Sequence, residues 1–207
     1  MTLPPVAAGE GARPVREDPW NWPNRVSIAR TVLALGIGAY AATARSLGLL
    51  AVAYAVYWIG DVADGALARR TGTETRQGAV LDILCDRASC GILAVTYLGL
   101  DPAAAPAITV FLLQFMVVDC LLSLGFLRWP VLSPNYFWQV DRRLYRWNWS
   151  PPAKATNTAA LIVTVALGAY GLALALALAQ LVVKCVSLVA LTRLPLPAGA
   201  GPVAARA

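Results

Sequence analysis

Six apolar runs dominate the chain, at roughly residues 27–44, 46–68, 78–99, 103–126, 152–171 and 174–193. Each is close to the ~20 residues that cross the hydrocarbon core of a bilayer. In lipid every backbone N–H and C=O needs a partner within the protein, so runs of this length fold as helices. The composition agrees: 58% of residues are hydrophobic and 14% charged, against about 25% charged in an ordinary soluble domain. A mean hydropathy of +0.62 points the same way. With 207 residues the chain has room for one bundle and no second large domain. The expectation is an all-α, polytopic membrane protein of six transmembrane helices. Residues 157–194 must hold two spans, which calls for a tight turn near Gly171.

The basic residues order these runs. Arg13, Arg16 and Arg25 precede the first run, and Arg69, Arg70 and Arg76 separate the second from the third. Arg128, Arg142, Arg143, Arg146 and Lys154 separate the fourth from the fifth, and Arg193 and Arg206 follow the sixth. With six crossings all of them fall on one side, and the other side receives only Arg45. Cytoplasmic loops are enriched in Lys and Arg, so both termini are expected in the cytoplasm. Residues 1–19 read as an unstructured leader without the basic start and short apolar core of a secretory signal. Residues 195–207 read as an unstructured tail, which leaves 20–194 as the membrane domain. Trp20, Trp22, Trp129, Trp138, Trp147 and Trp149 fall near the same interface and read as a headgroup-level belt. Residues 133–149 suit a segment lying on the membrane surface, and Ser150 before Pro151 and Pro152 suits an N-cap.

Several functions are disfavoured. The net charge is +6, but the bases are scattered between apolar runs and form no basic stripe of the kind that binds nucleic acid. Histidine is absent, which removes the commonest general base and the commonest zinc ligand. Cys85, Cys90, Cys120 and Cys185 form no CxxC pair and lie in apolar runs, so they read as small buried hydrophobes.

Acid–base chemistry therefore falls to carboxylates, and four of these are gathered at one place. Asp61 and Asp64 end the second run, and Asp82 and Asp86 open the third. Spacings of three and four put each pair on one helix face. Two helices packed through those faces would cluster four carboxylates, whose repulsion and desolvation call for a counter-cation. Oxygen donors without Cys or His select hard ions, so Mg²⁺ or Mn²⁺ is expected. The bland alternative is interfacial aspartates paired with Arg69, Arg70, Arg76 and Arg87. Gly65, inside the helix, suits close approach of a ligand to the backbone. Arg69, Thr75 and Arg76 supply donors for phosphate. Together these features suggest phosphoryl chemistry on a lipid or nucleotide.

The order Asp61, two residues, Asp64-Gly65, two residues, Ala68-Arg69, eight residues, Gly78, three residues, Asp82, three residues, Asp86 resembles the signature of the class I CDP-alcohol phosphatidyltransferases, in particular bacterial integral membrane members. Pro23-Asn24-Arg25-Val26-Ser27, with Arg30 in the first run, fits the same family. The resemblance implies that an acceptor hydroxyl attacks the lipid-linked phosphorus of CDP-diacylglycerol and that CMP leaves. It implies two divalent ions, the first on Asp61, Asp64 and Asp82 and the second on Asp61, Asp82 and Asp86, with Asp86 also the general base. It implies that Gly65, Arg69, Thr75 and Gly78 hold the CDP-lipid, and that Asn24, Arg25, Val26 and Ser27 close the same pocket. It also implies a homodimer in the cell membrane with the site facing the cytoplasm.

The acceptor alcohol is less clearly marked. Glu17-Asp18-Pro19-Trp20 and Lys154-Ala155-Thr156-Asn157-Thr158-Ala159 resemble cardiolipin synthases and, more loosely, phosphatidylglycerolphosphate synthases. Those enzymes usually carry Pro after the third aspartate and Lys after the fourth. Ile83 and Arg87 stand there instead, closer to phosphatidylinositol phosphate synthases. A glycerol-based acceptor is the first expectation and an inositol phosphate the alternative. Lys154, Arg146 and Arg76 are the candidate acceptor-side cations. Asp119, an acid in mid-run, is a functional candidate by its position and a partner for Arg30 or Lys184. A transporter fits less well because the aspartates gather at one membrane face, away from the midplane. A non-catalytic scaffold fits less well because the signature is whole.

Overall fold

In a computed structural model of the chain, residues 20–197 are described. The expected leader, and the tail from residue 198, lie outside the described residues. Those described form helices and connecting turns, with no strand among them. Helix α1 is Trp22–Thr43, α2 Leu47–Thr71 and α3 Arg76–Leu100. A continuous helical rod, α4, runs Pro102–Arg128. A 3₁₀ segment, Pro134–Gln139, and the short α5, Arg142–Asn148, follow it. Helix α6 covers residues 151–166, and α7 is Tyr170–Thr192.

Helices α1, α2, α4 and α7 are long and apolar enough to cross a membrane. Helix α3 spans 25 residues, about 37 Å at 1.5 Å per residue, and carries Arg76, Asp82, Asp86 and Arg87 in its first half. Helix α6 is shorter. The exposed faces carry large apolar side chains, among them Val32, Ile59, Val62, Leu172 and Val182, as lipid-facing surfaces do.

The helix ends follow local chemistry. Asn21 caps α1 by accepting from Asn24 N at 3.0 Å, Ser46 caps α2 and Thr75 caps α3. Gly72, in the left-handed conformation, closes α2. Ser150 stands at the start of α6, but its hydroxyl donates back to Arg146 O at 2.7 Å and does not cap the helix. The turn into α7 falls at residues 167–169, with Gly168 at φ 71°, and not at Gly171. Two π-helical turns, Gln114–Val118 in α4 and Ala155–Ala159 in α6, face each other. Gln114 Nε2 donates to Asn157 Oδ1 at 2.8 Å between them.

Two sequence expectations change. Trp129 and Trp149 are buried against Phe137, while Trp20, Trp22, Trp138 and Trp147 stay exposed. The segment 133–149 therefore folds its aromatic side onto the bundle, and only part of the tryptophan set is free for a headgroup belt. Cys85 and Cys90 are buried as expected, but Cys120 is half-buried and Cys185 exposed.

Candidate active site

Helix rise sets the depth of the site. Asp64 lies about 10 Å before the end of α2, Asp82 about 9 Å into α3 and Arg30 about 12 Å into α1. Three helices that share one end therefore bring these residues to one level. Helix α1 packs along both α2 and α3 and presents Asn24, Ser27 and Arg30 to them, all three buried.

The four aspartates converge as the spacing predicts. Asp61, Asp64 and Asp82 each offer a carboxylate oxygen within 4.8 Å of the others. Asp64 is nearly closed off, with its side chain 4% exposed. Asp61 at 32% and Asp82 at 42% form the open edge. Oxygen donors at this separation, with no sulfur or imidazole among them, fit a hard divalent ion.

Arg30 lies at the centre of the cluster. Its Nε donates to Asp64 Oδ2 at 2.8 Å. Its Nη2 donates to Asp82 Oδ1 at 2.7 Å and to Asp61 Oδ1 and Asp86 Oδ1, each at 3.1 Å. None of the arginines considered as surface partners (Arg69, Arg70, Arg76, Arg87) forms an ion pair with these four aspartates. Ser27 Oγ donates to Asp64 Oδ2 at 2.6 Å. The position of Arg30 depends on Gly60, where a Cβ would come within 2.7 Å of the arginine's Cβ and Cδ. The sequence signal for Arg30 was present: an arginine eight residues into an apolar helix has to find a partner. Which partner it finds depends on how α1 packs.

The surrounding signature residues take distinct positions. A Cβ on Gly78 would stand 2.8 Å from Asn24 Oδ1 and 2.9 Å from Thr75 Oγ1, so glycine lets α1 and α3 approach at the mouth of the site. Thr75 Oγ1 accepts from Gly78 N at 2.9 Å. The guanidinium of Arg69 lies over Gly65, with Nη1 3.2 Å from where a Cβ would be. Val26 is half-buried, and Arg25 is exposed beside Trp22, 5.3 Å from the ring centre. Among the acceptor-side cations, Lys154 Nζ donates to Asn135 Oδ1 at 2.7 Å and lies within electrostatic reach of Asp82. Arg146 is exposed on α5. Arg76 Nη2 donates to Leu127 O at 2.7 Å and Trp129 O at 3.3 Å, which ties the start of α3 to the end of α4.

A second charged group lies deeper. Asp119 accepts from Arg87 Nη2 at 2.5 Å and from Lys184 Nζ at 2.7 Å. All three are buried. Lys184 is therefore a partner of Asp119, and Arg30 is not. Arg87, one residue after Asp86, joins α3 to α4 and α7 through this triad. Its guanidinium also stacks 3.6 Å from the centre of the Phe115 ring.

A model of the CDP-alcohol phosphatidyltransferase family matches residues 20–192. The chain belongs to this family. A CDP-alcohol phosphatidyltransferase is a phosphotransferase for substituted phosphate groups, and its members transfer head groups in phospholipid synthesis. The family generally uses divalent metal ions, in keeping with the all-carboxylate donor set. No solved structure matches the chain.

Proposed function

We propose that this protein transfers the phosphatidyl group of CDP-diacylglycerol to a glycerol-based alcohol, phosphatidylglycerol or glycerol-3-phosphate, with release of CMP. The observation that carries the reading is the convergence of Asp61, Asp64, Asp82 and Asp86 from two helices at one depth, within a chain of this family. Asp61, Asp64 and Asp82 would hold one Mg²⁺ or Mn²⁺, and Asp61, Asp82 and Asp86 a second. Held there, such ions would supply the positive charge that neutralises the pyrophosphate and the departing CMP. The acceptor oxygen forms a new bond to the lipid-linked phosphorus, and the bond from that phosphorus to the CMP oxygen breaks. Asp86 takes the hydroxyl proton as general base.

Asn24, Ser27, Gly65, Arg69, Thr75 and Gly78 bind the CDP moiety, with Arg25 and Val26 at the rim. Lys154 and Arg146 face the acceptor. Arg76 is the third acceptor-side cation and also holds the end of α4 in place. Residues 20–194 form the catalytic membrane domain. It crosses the cell membrane six times, α3 and α6 included, with both termini and the site on the cytoplasmic side, and it works as a homodimer. The basic loops on one side support this topology.

The inositol phosphate reading rests on Ile83 and Arg87. Ile83 packs into the apolar core beside Leu122 and Phe126, and Arg87 is committed to Asp119. The glycerol-based reading rests on the resemblance of residues 17–20 and 154–159 to cardiolipin synthases. The test is CMP release from CDP-diacylglycerol by purified protein. Phosphatidylglycerol, glycerol-3-phosphate, inositol-1-phosphate, inositol and serine would be offered in turn, with and without EDTA. Turnover is expected with one of the glycerol-based acceptors and none with EDTA. Turnover with inositol-1-phosphate alone would replace the acceptor assignment, and undiminished turnover in EDTA would refute the metal role.

A further inference from the structure

The 3₁₀ segment Pro134–Gln139, between α4 and α5, touches both sides of the site. Phe137 is wholly buried against Trp129 and Trp149 and fixes the segment to the bundle. The two residues before it reach outward. Tyr136 donates its hydroxyl to Glu74 Oε2 at 2.5 Å, and Glu74 precedes Thr75, the cap of α3 beside Gly78. Tyr136 also lies within electrostatic reach of Arg69. Asn135 Oδ1 accepts from Lys154 Nζ at 2.7 Å, and Lys154 is within electrostatic reach of Asp82. Two adjacent residues thus join the nucleotide side of the mouth to the acceptor side.

The partner of Lys154 is a neutral amide, and its ammonium forms no ion pair among the described residues. A carboxylate in that place would orient the ammonium and cancel its charge. An amide oxygen orients it and leaves the charge in full. A long side chain held in advance also loses less freedom when it meets an anion. Lys154 is the last residue before the π turn Ala155–Ala159, which Asn157 pins to Gln114 of α4, so the backbone beneath it is anchored too. We propose that Asn135 is a positioning residue for the transfer reaction: from its anchored segment it aims the uncancelled Lys154 ammonium at the phosphate of a phosphate-bearing acceptor. The inference rests on the reading of the protein as a phosphatidyltransferase with the acceptor on the Lys154 side. It deepens that reading by giving acceptor affinity to a residue outside the aspartate signature.

Steady-state kinetics of the detergent-purified full chain provide the test, with KM measured for each substrate and phosphatidylglycerol and glycerol-3-phosphate offered in separate arms. Asn135→Ala should raise KM for the working acceptor about three- to tenfold. It should leave kcat and the KM for CDP-diacylglycerol within about twofold. Asn135→Asp keeps the shape and the oxygen acceptor but adds the charge that cancels Lys154. It should raise the same KM at least as much, by an amount that shrinks with added salt, whereas a merely structural role would be met by the isosteric carboxylate. In a Lys154→Met background Asn135→Ala should add less than about twofold, since the two residues act as a pair. A wild-type KM in Asn135→Asp, or an undiminished effect of Asn135→Ala without Lys154, would overturn the proposal and leave the transferase reading standing. Turnover with serine or inositol and none with a phosphate-bearing acceptor would also overturn it. Absence of CMP release by the wild type with every acceptor would overturn the transferase reading itself, and the proposal with it.

Discussion

Asp86 and Arg87 are adjacent in sequence and face different partners. Asp86 turns to the acidic cluster and Arg87 to Asp119. Their substitutions should therefore fail differently. Asp86→Asn keeps the shape and removes the base. Turnover should drop by about 10² or more while binding of CDP-diacylglycerol persists, which CMP release and equilibrium binding would show. Lys184→Met removes one of two cations from a fully enclosed carboxylate. That change should cost roughly 3 kcal/mol of stability, read as a lowered melting temperature in detergent. Asp119 was visible in the sequence as an acid in a membrane run. Its ion pair with Arg87 was not, because nothing local connects residues 32 apart in the chain.

Helix ends were legible from short-range chemistry, as Asn21, Ser46 and Thr75 show at the starts of α1, α2 and α3. The far end of the bundle has its own link. Asp101, between α3 and α4, accepts from Tyr97 and Tyr170 hydroxyls through Oδ2 and from Ala103 N through Oδ1. It thereby ties α3 to the start of α7. These donors, Tyr170 foremost, hold the Asp101 carboxyl below its usual range. A depressed folded value stabilises above the unfolded value, about 3.9, and that contribution disappears as pH falls through the folded value. Thermal melting of the wild type should therefore drop on acidification below about pH 4, and Asp101→Asn should lack that part of the drop. The expectation that failed at this scale is the turn near Gly171: the turn falls at residues 167–169, where Gly168 takes the left-handed conformation, so the apolar run alone placed it too late.

At the scale of the whole molecule, the proposed topology of six crossings puts Arg45 opposite all other loop cations. Single cysteines introduced in a cysteine-free background at Arg45 and at Thr73 should label from opposite faces of sealed vesicles with an impermeant maleimide. Labelling from the same face would refute the topology. The sequence by itself determined the class of the protein: long apolar runs force helices in lipid, and the Asp61–Asp86 spacing places the acids on defined helix faces. Both are local properties, set by hydropathy and by 3.6 residues per turn. Only the tertiary structure decided that Arg30 neutralises the acids, that Arg87 and Lys184 share Asp119, and that Trp129 and Trp149 turn inward. Each depends on which helices become neighbours and at what depth, and a buried charge takes whichever partner that packing brings within reach.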